Sequence, residues 1–205
     1  MELITLSLSE FSALTASNAP APGGGSISAL CGSLSAALIE MVANLTVNKE
    51  KYAQFNDEMC DILNNLNIIR HRLLNAVDED TQAFDQYMEA LKLPKGSEER
   101  QTAMEEGLKK AASVPLHVAE TTCTLFPYLE KVLTHGNKNA VTDAMVGTML
   151  ARTCVLGAIY NVRINLTSIK DQAFVAELTD RCNHLQRIAT TEEQRLLKTT
   201  GISGF

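Results

Sequence analysis

Residues 26–47 read SISALCGSLSAALIEMVANLTV, and the spacing of residue types in this stretch decides the fold class. Its larger apolar residues recur every three or four positions, as on one face of a helix, at Leu30, Leu34, Leu38, Met41 and Leu45. A second face carries small residues, namely Ala29, Gly32, Ser33, Ala36 and Ala37. Because small side chains let another helix approach closely, the stretch predicts a tightly packed core helix of an all-α protein.

The rest of the chain shows the same helical spacing. Further helices are predicted over residues 8–16, 51–91, 97–133, 139–169 and 171–199. Pro115 and Pro127 lie within the helix predicted over residues 97–133 and are expected to kink it. No segment alternates with the period of a strand. We therefore predict one domain over residues 1–205, built as an antiparallel bundle of about six helices, some of them long, with no sheet.

Composition and charge argue against several classes of function. The net charge of −6, without a basic cluster, argues against nucleic acid as a partner, because phosphate groups are neutralised by clustered Lys and Arg. Serines and Glu40 within residues 26–47 argue against a membrane helix. None of the four histidines pairs with a His or Cys at ligand spacing, which predicts no metal site. Widely spaced cysteines and the absence of a signal-like N-terminus predict a cytoplasmic location.

A glycine run, Pro22-Gly23-Gly24-Gly25-Ser26, stands directly before the core helix. Glycine permits tight turns and close approach at a cost in backbone entropy. Ser26 stands where a helix N-cap residue is expected. A bare loop at a helix N-terminus can bind an anion or a polar ligand edge. The alternative is a tight connection before a closely packed helix, and the local sequence does not separate the two interpretations.

Polar residues mark both ends of one side of the helix predicted over residues 139–169. Asp143 lies in its first turns, where the helix dipole favours a carboxylate, so it is either an acid-base group or a charge that stabilises the helix start. Asn161 and Asn165 lie at the other end and are interpreted as packing amides. The acidic run Asp78-Glu79-Asp80 is typical of a solvated helix face and has little weight by itself.

Several stretches, in order along the chain, resemble the cyclodeaminase domain of the formiminotransferase-cyclodeaminase family, which includes stand-alone methenyltetrahydrofolate cyclohydrolases. They are PAPGGGS at 20–26, MVANLTV at 41–47, KY at 51–52, DTQAF at 80–84, LKLPK at 91–95, DA at 143–144 and AIYNVRINL at 158–166. Asn48 stands where the family pattern has Gly, and Thr142 stands where it has Ser.

The resemblance implies a one-carbon enzyme that acts on tetrahydrofolate as the carrier substrate and needs no metal. The first reading is a cyclohydrolase that interconverts 5,10-methenyltetrahydrofolate and 10-formyltetrahydrofolate. The second is a cyclodeaminase, an ammonia lyase that closes 5-formimidoyltetrahydrofolate. A third reading, from another class, is a folate-binding or structural bundle without turnover. Both reactions pass through a tetrahedral carbon between N5 and N10, where a carboxylate suits proton transfer and stabilisation of positive charge.

The resemblance also implies roles for individual residues. Asp143 is the first candidate for general acid-base catalysis. Asp80 is the second, either catalytic or bound to the amino group of the pterin. The expected substrate-binding residues are Gly23, Gly24, Gly25, Ser26, Asn44 and Lys51. Of these, Lys51 is expected to meet the glutamate carboxylates of the folate tail.

Alternating helix directions divide these residues between two ends of the predicted bundle. Asn44, Lys51 and Asp143 fall at one end, while the glycine run falls at the other, with Asp80 towards it. One chain then does not complete the site. The helix predicted over residues 51–91 spans roughly 60 Å, which is long for a compact bundle of this size. A homodimer or a higher even oligomer is therefore expected, with a two-fold axis that brings opposite ends together.

Overall fold

The computed structural model describes residues 2–201, which form an all-α bundle. Its α-helices are α1 (Leu8–Thr15), α2 (Gly24–Asn44), α3 (Asn56–Lys92), α4 (Glu98–Cys123), α5 (Phe126–His135), α6 (Val141–Leu166) and α7 (Gln172–Thr199). Short 3-10 helices lie at Leu3–Thr5, Glu50–Phe55 and Lys138–Ala140. No strand occurs between residues 2 and 201, and the prediction of an all-α fold without a sheet is confirmed.

The centre of the bundle is the pair α2 and α6. α2 packs on α3 and α6, while α6 also packs on α4 and α7. Gly32 of α2 is enclosed so tightly that a Cβ atom there would lie 2.8 Å from Thr122 Oγ1 and 2.9 Å from Cys154 Sγ. The Ser35 hydroxyl donates to the Gly147 carbonyl over 2.8 Å and links α2 to α6. Gly32, one of the small residues recognised in the sequence, therefore lies where neighbouring helices approach closely.

The two prolines of the predicted fourth helix have different effects. That helix is divided, since α4 ends at Cys123 and α5 begins at Phe126. Pro127 lies in the first turn of α5, where the helix needs no N–H donor. Pro115 is buried inside α4, which continues through it.

The start of α2 differs from the expected one. α2 begins at Gly24, its N-cap is Gly23, and no side chain caps it from that position. Ser26 is the third residue of the helix, is fully buried, and donates its hydroxyl to a carbonyl of α3. The N-cap prediction for Ser26 is therefore wrong, because its hydroxyl is used in a contact between helices that the local sequence does not reveal.

Side-chain contacts define two separate ends of the bundle. At one end the start of α2 meets the end of α6, where a Cβ atom at Gly24 would lie 3.1 Å from Asn161 Nδ2. At the other end the Asn137 N–H, just before α6, donates to Thr46 Oγ1, just after α2, over 2.8 Å. α2 and α6 therefore run in opposite directions and connect the two ends.

Two segments are long and apolar enough to cross a membrane by length and composition, namely Gly24–Asn44 and Lys138–Leu166. About half of each apolar window, 56% and 50%, is buried inside the protein. Burial in the centre of a bundle explains this composition, and the absence of a membrane partner stays a prediction.

Candidate functional site

A cleft opens where the start of α2, the middle of α3 and the end of α6 meet. Its volume is about 140 Å³, and its lining includes Gly24, Gly25, Asp80, Thr81, Asn161 and Asn165. Every lining residue except Ala111 belongs to a stretch that carries the family resemblance. Larger hollows of about 290 Å³ around Arg72 and His117 and about 730 Å³ around Ile69 and Tyr128 include none of those stretches. Two others, of about 550 and 440 Å³, include a single residue each from them, Leu93 and Arg163. The cleft is therefore the candidate site.

Asp80 lies directly against the first turn of α2. The Ser26 N–H donates to its carboxylate, and the Ser26 hydroxyl lies 3.2 Å from Asp80 Oδ2. A Cβ atom at Gly25 would collide with the same carboxylate, so glycine is needed for this approach. A carboxylate at a helix N-terminus satisfies an N–H that has no partner within the helix. The glycine run thus seats a carboxylate of the protein itself at the start of α2.

The environment of Asp80 favours its protonated form. Burial raises the pKa of Asp80 above its ordinary value, and the hydrogen bonds from Ser26 oppose this shift only in part. A carboxyl group with a raised pKa gains and loses a proton closer to neutral pH than an exposed aspartate does. This property suits a general acid-base group.

Thr81 has a hydroxyl without a hydrogen-bond partner among residues 2–201, although its Oγ1 atom is buried. A threonine in a helix often bonds to the carbonyl four residues earlier, as Thr148 does to Ala144 over 2.9 Å. For Thr81 that carbonyl belongs to Val77, and it already accepts the Ser26 hydroxyl over 2.9 Å. Ser26 therefore leaves the Thr81 hydroxyl available to a ligand.

Asn161 and Asn165 supply hydrogen-bond acceptors to the cleft. Nδ2 of Asn161 donates to the Gly157 carbonyl over 2.9 Å, and Nδ2 of Asn165 donates to the Ala111 carbonyl of α4 over 2.8 Å. The Oδ1 atom of each amide has no partner in the described part of the chain. The interpretation as packing amides therefore holds for the nitrogen of each side chain, while the oxygen is available to a ligand.

These groups make a site of defined chemistry. It combines one carboxyl group and two amide oxygens as acceptors with one hydroxyl that can also donate. No lysine or arginine within the described residues lines it. Such a site suits a ligand with several N–H donors or a positive charge. The carboxyl group can also move a proton to or from such a ligand.

The structure places the other predicted site residues at the end of the bundle opposite the cleft. Asp143 lies half-buried in the first turn of α6 and has no hydrogen-bond partner within residues 2–201. Lys51 Nζ lies 5.5 Å from the ring centre of Tyr52, and exposed Asn44 donates to a carbonyl of its own helix. The 18 residues from Asp143 to Asn161 correspond to about 27 Å of helix. One chain therefore does not bring Asp143 to the cleft.

Comparison with known proteins extends the resemblance over most of the chain. The model of the family described as formiminotransferase-cyclodeaminase matches residues 7–184. The chain is 35% identical over 185 residues to formimidoyltransferase-cyclodeaminase of Sus scrofa, covering 88% of this chain and 34% of that protein. It is 34% identical over 188 residues to methenyltetrahydrofolate cyclohydrolase of Methylorubrum extorquens, covering 90% of each.

A solved structure shows the same fold. The crystal structure of formiminotetrahydrofolate cyclodeaminase from Thermotoga maritima has a TM-score of 0.88 and 32% identity to this chain, and the match covers 98% of both chains. The present chain thus spans about a third of the mammalian relative and nearly the whole length of the two bacterial proteins.

Proposed function

The chain belongs to the formiminotransferase-cyclodeaminase family, and from this membership we propose that it is a tetrahydrofolate one-carbon enzyme whose reaction occurs at Asp80. The proposed reaction is the hydrolysis of 5,10-methenyltetrahydrofolate to 10-formyltetrahydrofolate, and its reverse. Similarity to a methenyltetrahydrofolate cyclohydrolase over 90% of both chains supports this reaction. The observation that carries the proposal is a carboxyl group of raised pKa in a cleft lined by acceptors.

Asp80 moves one proton in the proposed mechanism. The reacting carbon, between N5 and N10, carries positive charge, which the acceptors of the cleft stabilise. Water attacks this carbon, and the Asp80 carboxylate takes a proton from the water as the C–O bond forms. Asp80 then donates that proton to N5 as the C–N5 bond breaks. The remaining hydroxyl proton passes to solvent as the formyl carbonyl forms, so each turnover releases one proton.

The amide oxygens of Asn161 and Asn165 bind the substrate in this proposal. The pyrimidine edge of a pterin carries amino and ring N–H donors, which match these two acceptors. Backbone groups of Gly23 and Gly24 border the same cleft. At about 140 Å³ the cleft is smaller than the roughly 300–1,000 Å³ usual for small-molecule sites. It therefore holds one part of the folate, and the rest lies beyond it.

A cyclodeaminase is the second candidate function, and similarity to a formiminotetrahydrofolate cyclodeaminase over 98% of both chains favours it. In that reaction N10 attacks the formimidoyl carbon, and Asp80 transfers the N10 proton to the imine nitrogen. A second proton, from solvent through Asp80, lets the nitrogen leave as ammonia and leaves the cationic methenyl product. The same carboxyl group and the same acceptors serve both reactions.

One assay tests the proposed function and separates the alternatives. Purified protein is offered methenyltetrahydrofolate and 5-formimidoyltetrahydrofolate separately, with a chelator present, and the change in methenyl absorbance is followed. We expect turnover of at least one substrate above the uncatalysed rate and no effect of the chelator. Folate binding without turnover would support a non-catalytic folate-binding bundle instead. Neither binding nor turnover would support a structural role.

We also propose that two copies of the chain associate through α2 and α6. Large apolar side chains are exposed along these neighbouring helices, at Leu34, Met41, Leu45, Val146, Tyr160 and Ile164. A two-fold axis across the two helices would place the Asp143 end of one chain beside the cleft of the other. The small volume of the cleft supports an arrangement in which a second chain completes it.

A further inference from the structure

Pro115 leaves one carbonyl of α4 without its usual partner. In a helix the carbonyl of Ala111 accepts the N–H of residue 115, but proline has no N–H, and its ring turns that carbonyl away from the helix axis. Pro115 is buried within α4, which continues on both sides of it. The Ala111 carbonyl accepts Asn165 Nδ2 of α6 over 2.8 Å instead.

This hydrogen bond fixes the direction of the Asn165 amide. A carbonyl only accepts, so the nitrogen of the amide must face Ala111 and the oxygen must face away from it. Asn161 differs, because its amide bonds to a carbonyl of its own helix. Ala111 and Asn165 both line the cleft, while Pro115 does not. Pro115 therefore lies outside the cleft but affects the carbonyl that orients an acceptor of the site.

We propose that Pro115 is a positioning residue for substrate binding. By turning the Ala111 carbonyl out of the helix, it directs that carbonyl at Asn165 Nδ2 and so sets the direction of the Asn165 oxygen towards the ligand. This inference rests on the proposed function, since it takes folate as the ligand of Asn165. It also gives a reason for a proline in the middle of a helix, where proline is otherwise the least favourable residue.

The test restores the missing donor. In Pro115→Ala the ring no longer pushes the Ala111 carbonyl outwards, and the new N–H draws that carbonyl back towards the helix axis, away from Asn165. We expect kcat/KM for the folate to fall about three- to tenfold, mainly through a higher KM, as for the loss of one neutral hydrogen bond to a substrate. The melting temperature should stay the same or rise. Pro127→Ala is the matched control, because its proline lies in a first turn where no donor is needed.

A double-mutant cycle separates positioning from a general structural role. If Pro115 acts through Asn165, Pro115→Ala has no further effect in an Asn165→Ala background. Equal losses in both backgrounds, or an unchanged kcat/KM in Pro115→Ala, would overturn the inference. A crystal structure of Pro115→Ala gives a test that needs no activity. Asn165 Nδ2 is expected beyond hydrogen-bond distance of the Ala111 carbonyl, and an unmoved Asn165 would overturn the inference even if the proposed function fails.

Discussion

The carboxyl group of Asp80 is subject to two opposing influences. Burial disfavours its ionised form, and the start of α2 favours that form through Ser26. Burial is the larger effect, so the pKa in the folded state lies above that of the unfolded chain. A raised carboxyl pKa stabilises the fold at low pH, and this contribution is lost as the pH rises through the folded-state pKa. Ionised Asp80 therefore costs stability, which fits a residue kept for function.

The variant Asp80→Asn tests whether ionised Asp80 lowers the stability of the fold. The amide still accepts the Ser26 N–H but carries no charge, so we expect the variant to be more stable than the parent protein at pH 7. The difference should shrink as the pH falls from 7 through the raised folded-state pKa of Asp80, because the parent carboxyl then takes up a proton. The measurement is the free energy of unfolding in denaturant across this pH range. Asp85→Asn, which replaces an exposed aspartate of the same helix, is the control. A less stable Asp80→Asn protein at pH 7 would show that capping of α2 outweighs burial.

Thr81 offers a second test at the scale of one residue. Thr81→Val replaces a buried hydroxyl that has no partner among residues 2–201, so stability should stay equal or increase. Folate affinity should fall about two- to tenfold, because the ligand loses one hydrogen bond. Thr148→Val is the matched control. Its hydroxyl is bonded to Ala144, so it should lose stability and keep folate affinity. Unchanged affinity in Thr81→Val would remove Thr81 from the site.

At the scale of helices, most of the fold is predictable from apolar spacing. α2, α3, α6 and α7 follow it, because burial in a bundle repeats with the helical period. The inward turn of Ser26 is not predictable in this way, since it depends on a contact with α3. The break after Cys123 does not follow from apolar spacing either, but Pro127, in the first turn of α5, marks its place in the sequence.

The candidate site is predictable only in part. The glycine run and Asp80 are recognisable through family resemblance, and the structure brings them together. The roles of Thr81 and Asn165 are not recognisable in the sequence, because they depend on which helix carbonyls other residues already occupy. The Val77 carbonyl accepts the Ser26 hydroxyl. The Ala111 carbonyl has no helical N–H donor at Pro115 and accepts Asn165 Nδ2.

The contact between α2 and α3 predicts a difference between two glycines of one run. Gly25→Ala pushes the new methyl group into Asp80, so we expect a loss of turnover and of about 1–3 kcal/mol in stability, with helix content retained. Gly23→Ala is the control for stability and helix content, since its Cβ atom would lie 3.9 Å from the Pro20 carbonyl oxygen, the nearest atom outside the adjoining residues. Circular dichroism and thermal melting compare the two variants, and turnover is measured for Gly25→Ala beside the parent protein. Equal stability of the two variants would contradict the close seating of Asp80 on α2.

At the scale of the whole molecule, the prediction from family resemblance that Asp143 is also an acid-base group implies a site shared between two chains, because Asp143 lies at the end of the bundle opposite Asp80. Asp80→Asn and Asp143→Asn are each expected to lower turnover by at least about 100-fold. Mixing the two inactive proteins under conditions that exchange chains should restore about a quarter of the parent activity, because half of the dimers then contain one intact site. A monomer by light scattering at micromolar concentration, or no recovery on mixing, would contradict the shared site. An unchanged rate in Asp143→Asn alone would leave Asp80 as the only acid-base candidate.

Catalysis by Asp80 in the folate cleft is tested most directly by the turnover of Asp80→Asn beside the parent protein. Initial rates are measured with methenyl- and 5-formimidoyl-tetrahydrofolate, a chelator is present, and the uncatalysed rate is subtracted. The predicted result is a turnover rate at least about 100-fold lower than that of the parent protein on the same substrate. Product affinity is retained, and the melting temperature does not decrease. An Asp80→Asn protein that turns over the substrate at nearly the parent rate would contradict it.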